Sequence, residues 1–127
     1  MTYVITFKEK EGGVFTHYSG TVTDADIIKS VKERLLLVEK LKPIKYFFSD
    51  FTDVDNFNVT STGIQTIADI ATRASKINND IILVAIVPSD LEYGMARMWQ
   101  AYSDDMNWKT YLARTKEEAS EWLNKNL

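Results

Sequence analysis

The sequence predicts an α/β fold built on a mostly parallel sheet, and three features of the chain indicate it. Short apolar segments alternate with longer segments of helical periodicity from residue 45 onward. The run Ile81 to Val87 is continuously apolar and rich in β-branched residues, as in a parallel strand buried on both faces. Strands that alternate with helices imply a parallel sheet covered by helices. With 127 residues, the chain is expected to form a single domain, residues 1–127.

A hairpin opens the chain. Tyr3 to Lys8 alternates between apolar and polar residues, and Val14 to Ser19 follows as a second strand. Gly12 and Gly13 supply the turn between them. Because a tight hairpin joins antiparallel strands, we expect one antiparallel strand in an otherwise parallel sheet.

The first helix begins at Thr23 and Asp24, which offer a cap followed by acidic residues. It must end before Pro43, which lacks the backbone N–H that a helix needs. The apolar residues at helical spacing are Ile27, Ile28, Val31, Leu35 and Val38.

A third strand, Lys45 to Phe51, leads through a polar segment that we interpret as a turn. A second helix starts at Thr60 to Gly63 and stops at Asn78, and its alanines allow close approach to a sheet. The fourth strand is Asp80 to Val87.

Two capping boxes mark the last two helices. Ser89 and Glu92 start the third helix, which runs to about Asp104. The fifth strand is Trp108 to Arg114, and Thr115 with Glu118 then starts the fourth helix. The predicted order is therefore ββαβαβαβα, with five strands and four helices packed on the sheet.

Composition excludes several classes of function. The net charge of −3 and the isoelectric point near 5.1 argue against nucleic-acid binding. The chain has no Cys, so it has no disulfide or thiol nucleophile, and a cytoplasmic location is expected. The first residues alternate and carry charge, so no signal peptide is predicted. No apolar run is long enough to span a bilayer.

The chain carries no recognisable catalytic constellation. His17 is the only histidine, and we assign it no role. Asp50, Asp53, Asp55 and Asn56 offer oxygen ligands, but their spacing is not that of a calcium loop. We therefore expect a protein that is not an enzyme and that has no metal and no cofactor.

The first candidate site is the segment Thr60-Ser61-Thr62-Gly63, together with Asp50 at the end of the third strand. The first N–H groups of a helix lack backbone partners and attract negative charge. They can hold an anion or a partner's carboxylate, and Ser61 can accept a phosphate. The alternative is a plain helix cap, whose hydroxyl stabilises a helix by about 1 kcal/mol.

The second candidate site is an apolar face of the third helix. It is formed by Leu91, Met95, Met98, Trp99 and Tyr102. Leu36, Leu37 and Leu41 of the first helix are expected to line the same cavity or to widen a buried face. Methionine adapts to irregular partners, and Trp and Tyr suit the boundary of an apolar site. The alternative is an ordinary core helix.

Two stretches resemble the STAS domain, the SpoIIAA-like fold of bacterial anti-sigma-factor antagonists. Asp50-Phe51-Thr52 followed by Thr60-Ser61-Thr62-Gly63 is similar to its paired motifs, with Ser61 at the phosphorylated position and Thr60 where the family has Asp. The runs Val84–Asp90 and Tyr93–Met98 resemble the STAS/CRAL-TRIO-like branch from environmental bacteria.

This resemblance implies a SpoIIAA-like fold and a non-enzymatic regulatory domain that meets a partner protein through residues 50–63. The relation to CRAL-TRIO domains implies an alternative, in which the third helix binds a lipid or another small hydrophobic molecule or contacts a membrane surface. A homodimer that pairs through the apolar face of the third helix is a further expectation.

Overall fold

The computed structural model describes residues 2–40 and 44–127, and its elements follow the predicted order. Pro43, the expected stop of the first helix, lies outside the described residues. Within these two ranges, no helix is both long and apolar enough to cross a membrane. The bounds are β1 Tyr3–Lys8, β2 Gly13–Thr23, α1 Asp24–Lys40, β3 Tyr46–Asn58, α2 Ser61–Ile77, β4 Ile82–Ile86, α3 Asp90–Tyr102, β5 Lys109–Ala113 and α4 Lys116–Asn126.

The strands form one five-stranded sheet in the order β1-β2-β3-β4-β5. β1 pairs antiparallel with β2, and the other three neighbouring pairs are parallel. The predicted α/β class and the single antiparallel strand are confirmed. Connections between neighbouring parallel strands are almost always right-handed. Because the strands of this sheet lie in the order in which they occur in the chain, the helices that connect the parallel strands lie on the same face of the sheet.

The two faces of the sheet are covered differently. Phe47 and Leu83 pack in the main core, which α1, α2 and α3 cover. Their chain neighbours Phe48 and Val84 point to the opposite face, where Leu123 of α4 packs on them. The continuous apolar pattern of β4 is explained by this burial on both faces.

The start of α1 agrees with the expected cap. The carboxylate of Asp26 accepts hydrogen bonds from the backbone N–H and the hydroxyl of Thr23, at 2.9 and 3.0 Å. The backbone hydrogen bond from Thr23 is the main cause that lowers the pKa of Asp26 below its ordinary value.

The polar segment after Phe51 is not a turn, and that prediction was wrong. β3 continues to Asn58 and pairs with β2 throughout. Two irregularities each leave one extra residue in β3, one between Asp50 and Asp53 and one between Val54 and Asn56. Each extra residue shifts the strand by one position.

These two bulges explain an unusual spacing. Phe51, Val54 and Phe57 are three residues apart, yet all three pack against the main core. A regular strand would turn every second one of them to the other face. With one bulge in each interval, a spacing of three in the chain becomes a spacing of two in the sheet.

Candidate functional site

A cavity of about 100 Å³ lies between the sheet and helices α1, α2 and α3. Every helix on this face and strands β2, β3, β4 and β5 contribute to its walls. Most of its lining is apolar, including Val31, Phe47, Ile67, Leu83, Trp99 and Leu112. The cavity therefore offers apolar surface at the centre of the molecule.

Three polar side chains line the same cavity. They are Arg34 of α1, Ser49 of β3 and Glu92 of α3, with exposed fractions of 8%, 5% and 4%. Arg34 Nη1 donates a hydrogen bond of 2.8 Å to Ser49 Oγ. The Arg34 guanidinium also lies 5.3 Å from the centre of the Phe47 ring. A positive charge is thus held among aromatic and apolar groups.

Among residues 2–40 and 44–127, no carboxylate forms a salt bridge with Arg34. The salt bridges of the described residues join other groups, namely His17 with Asp50 and Asp53, Arg114 with Asp90, and Lys125 with Glu121. Residue 1 and residues 41–43, which lie outside the described ranges, include no acidic residue. Within the described residues, therefore, no carboxylate is in direct salt-bridge contact with this buried cation.

Glu92 closes the capping box that the sequence predicted, and the structure places its side chain in the lining of the cavity. Its Oε1 accepts hydrogen bonds from Ser89 N at 3.1 Å and from Ser89 Oγ at 2.8 Å, while Glu92 N donates to Ser89 Oγ at 3.1 Å. The carboxylate is thereby fixed at the start of α3.

Arg34 was not identified from the sequence as a buried residue, although the apolar spacing along α1 indicates it. Ile27, Val31, Arg34 and Val38 are spaced by four, three and four residues along α1, and all four are buried. A charged residue that takes an apolar position in such a stripe faces the core. No role for Arg34 was predicted from the sequence.

The apolar residues proposed for a ligand site are only partly brought together. Among them, Trp99 lines the cavity, and Met95 and Met98 are half-buried against the main core. Leu91 and Tyr102 are 58% and 47% exposed. The inward residues of α3 are Glu92, Ala96 and Trp99, followed by Ser103 at its C-cap, so the buried face is turned by about a quarter turn from the predicted one.

The leucines of α1 show a similar shift. Leu36 is 50% exposed, and Leu37 is half-buried but does not line the cavity. Leu35 lines the cavity instead, and Leu41 lies outside the described residues. Successive helical residues are about 100° apart, so neighbours in a Leu-Leu-Leu run have different surroundings.

The start of α2 is a well-formed cap. Thr60 Oγ1 accepts a hydrogen bond from Gly63 N at 3.1 Å. The carboxylate of Asp24 accepts the backbone N–H and the hydroxyl of Thr60, at 2.7 and 2.6 Å. A carboxylate from this chain therefore already lies where an external anion was expected. Ser61 and Thr62 are exposed.

Asp50 does not join this segment. The intervening part of β3 is extended and holds Asp50 roughly 20 Å from the start of α2. Asp50 instead lies beside the only histidine, with His17 Nδ1 3.7 Å from Asp50 Oδ2 and His17 Nε2 2.9 Å from Asp53 Oδ2. Among the described residues, no group of three or more acidic, His or Cys side chains is arranged to hold a metal ion.

Comparison with known proteins supports the fold. No protein-family model and no curated protein matches the chain. A solved structure that is similar to it is an uncharacterized protein of the DUF3478 family from Shewanella loihica PV-4, which has a SpoIIAA-like fold. The TM-score is 0.57 at 16% sequence identity, and the match covers 95% of this chain and 91% of the other. The chain therefore has a SpoIIAA-like fold.

Proposed function

We propose that this chain is a non-enzymatic binding protein that takes a small, mainly apolar molecule into the cavity between the sheet and helices α1 to α3. The observation that carries the proposal is a cavity of about 100 Å³ with a predominantly apolar lining. Close-packed interiors have few voids larger than a water molecule. An engineered apolar cavity of about 150 Å³ binds benzene, so this volume suits a ligand of a few carbon atoms or part of a longer chain.

Two tryptophans provide the test. Trp99 and Trp108 line the cavity, whereas Trp122 stacks on Tyr111 at the α4 side of the sheet. In a Trp122→Phe background, hexan-1-ol should change the fluorescence with a saturable curve. Native mass spectrometry of freshly purified protein should show any retained ligand.

A matched pair of variants locates the binding. Ala71 is buried and lines the cavity, whereas Ala101 is exposed on α3. Ala71→Leu adds side-chain volume to the cavity and should weaken hexan-1-ol binding, while Ala101→Leu should leave it unchanged. Equal responses from the two variants, or no saturable binding to the parent protein, would refute the proposal.

A second candidate is the interaction domain implied by the STAS resemblance, and one observation favours it. β4 pairs with β3 only as far as Asp50, so the rest of β3 pairs with β2 alone and leads to the exposed Ser61. We propose this ribbon and helix start as the partner surface. Addition of a partner strand to an unpaired edge is a common recognition mode.

The matched variants Ser61→Glu and Ser61→Ala test this candidate. A charge at Ser61 should weaken self-association or retention of a co-purified partner, and Ala should not. Light scattering after gel filtration and pull-down with tagged protein measure both quantities. If both variants associate like the parent protein, Ser61 does not lie in a partner surface.

A further inference from the structure

Burial of Arg34 without a counter-ion needs a physical explanation. An isolated charge is costly to remove from water, and buried cations are normally paired. Arg34 is 8% exposed, and its side chain makes one hydrogen bond within the described residues, to Ser49. A guanidinium carries five N–H donors, so most of its capacity is unused by the chain.

The neighbouring strand adds an independent sign that a polar partner is missing. Thr16 pairs directly with Ser49 across β2 and β3. The hydroxyl of Thr16 is buried and has no hydrogen-bond partner among the described residues. Most buried polar atoms in proteins do have one. Next to the cavity-lining pair of Arg34 and Ser49, the described residues therefore leave a second polar group, the Thr16 hydroxyl, without a partner.

We propose that the cavity is selective for a small monocarboxylic acid, whose carboxylate pairs with Arg34 while its hydrocarbon part contacts the apolar walls. This inference rests on the proposed function and specifies its ligand. The planar guanidinium matches a carboxylate in shape and charge. Glu92 lines the same cavity and disfavours a ligand with a second negative charge, such as a phosphate monoester.

The test compares two probes with the same carbon skeleton. Hexanoate and hexan-1-ol are titrated into the intact protein by calorimetry at neutral pH. Hexanoate should bind about tenfold more tightly, as expected for one charge-assisted hydrogen-bonded pair. The NMR signals of the Arg34 guanidinium should shift with hexanoate and not with hexan-1-ol, and this readout needs no substitution near the cavity.

Substitutions assign the selectivity to Arg34. Arg34→Met keeps an unbranched apolar side chain and removes the guanidinium with its charge, and replacement of a buried charge by an apolar group is often tolerated. It should reduce hexanoate affinity about tenfold relative to hexan-1-ol and so remove the preference for the acid. Arg97, which is exposed on α3, provides the matched control, and Arg97→Met should change neither. If the Met variant fails to fold, Arg34→Gln, which also removes the charge, takes its place and should have the same effect on the preference for hexanoate.

The outcomes separate this inference from the proposed function. If both probes bind equally and Arg34→Met changes neither, the carboxylate preference is wrong while the cavity still binds ligands. This is the result expected if Arg34 is neutralised through water by Glu92. If Arg97→Met weakens hexanoate as strongly as Arg34→Met, the acid binds at the surface and the inference is also overturned. If neither probe binds, the proposed function itself fails.

Discussion

The carboxylate of Asp24 occupies the space that a side chain at position 63 would need at the start of α2. A Cβ on Gly63 would overlap the carboxylate of Asp24, which holds Thr60 by two hydrogen bonds. Gly63→Ala should therefore displace Asp24 and destabilise the protein by about 1 kcal/mol, since the lost bonds outweigh the better helix propensity of Ala. Unfolding in urea measures the effect.

Gly94 supplies the control for this prediction. It lies in α3 with open space where a Cβ would be added. Gly94→Ala should stabilise the protein by up to about 1 kcal/mol, because Ala favours the helix more than Gly. The two substitutions should therefore have opposite signs, and a stabilised Gly63→Ala variant would contradict the proposed role of Asp24.

Two buried tyrosines make the protein sensitive to alkali. Burial, followed by a hydrogen bond to Glu11, raises the pKa of Tyr46 to about 12, and burial with a hydrogen bond to Glu33 does the same for Tyr3. The folded state therefore holds these protons more tightly than the unfolded state, whose tyrosine pKa is about 10.

The sign of the pH dependence follows from this difference. The stabilisation is fully present below pH about 10 and is lost as the pH rises towards 12, on the order of 2 kcal/mol for each tyrosine. Urea unfolding across this range measures the loss, and ultraviolet absorbance follows tyrosinate formation. Tyr46→Phe should remove about half of the slope, and an unchanged slope would show that Tyr46 does not contribute.

At the scale of one element, a deletion in β3 tests whether its second bulge sets the face of the sheet on which Phe57 lies. Asp55 is the extra residue of the second bulge. Its deletion should turn Phe57 from the core face to the opposite face and destabilise the protein by about 1 kcal/mol, because Phe57 is half-buried against the core. In a flexible turn, the same deletion would be tolerated.

The control is Phe57→Ala, which removes the same apolar contact without a change of register. If the deletion variant unfolds at a higher urea concentration than Phe57→Ala, the bulge does not set the position of Phe57. Comparable or larger destabilisation by the deletion is the expected result.

Because the buried face of α3 differs from the predicted one, substitutions at its buried and exposed positions should lower the free energy of unfolding by different amounts. Trp99 is 8% exposed and Leu91 is 58% exposed. Trp99→Ala should cost about 3 to 5 kcal/mol, whereas Leu91→Ser should change the free energy of unfolding by less than about 0.5 kcal/mol. Chemical denaturation measures both. Similar costs would restore the face predicted from the apolar spacing, with Leu91 in the core.

At the scale of the whole molecule, the sequence predicted the fold better than the site. The order of elements is local information, carried by alternation in β1, by the buried run of β4 and by caps at Ser89 and Thr115. The cavity depends on how side chains from seven elements meet, which no local pattern records. The long β3 was missed because Asp and Asn at its end favour turns in isolation, while pairing with β2 overrides that preference.

The sheet also separates the packing on its two faces, and substitutions on opposite faces should act independently. Ile67 belongs to the core beneath α1 to α3, and Leu123 to the core beneath α4. Ile67→Val should cost about 1 kcal/mol and Leu123→Ala about 3 kcal/mol. Because the two sites share no contact and lie on opposite faces, the double variant should equal their sum to within about 0.5 kcal/mol.

Both variants and the parent protein should nevertheless unfold in a single transition. The reason is that the paired strands β2 to β5 carry side chains on both faces of the sheet, so neither face can lose its packing without the other. Fluorescence and circular dichroism monitored along one urea titration should give coincident curves. Separate transitions would mean that α4 and its core can unfold on their own. A double variant that departs from the sum by more than the stated margin would mean that the sheet transmits packing changes from one face to the other.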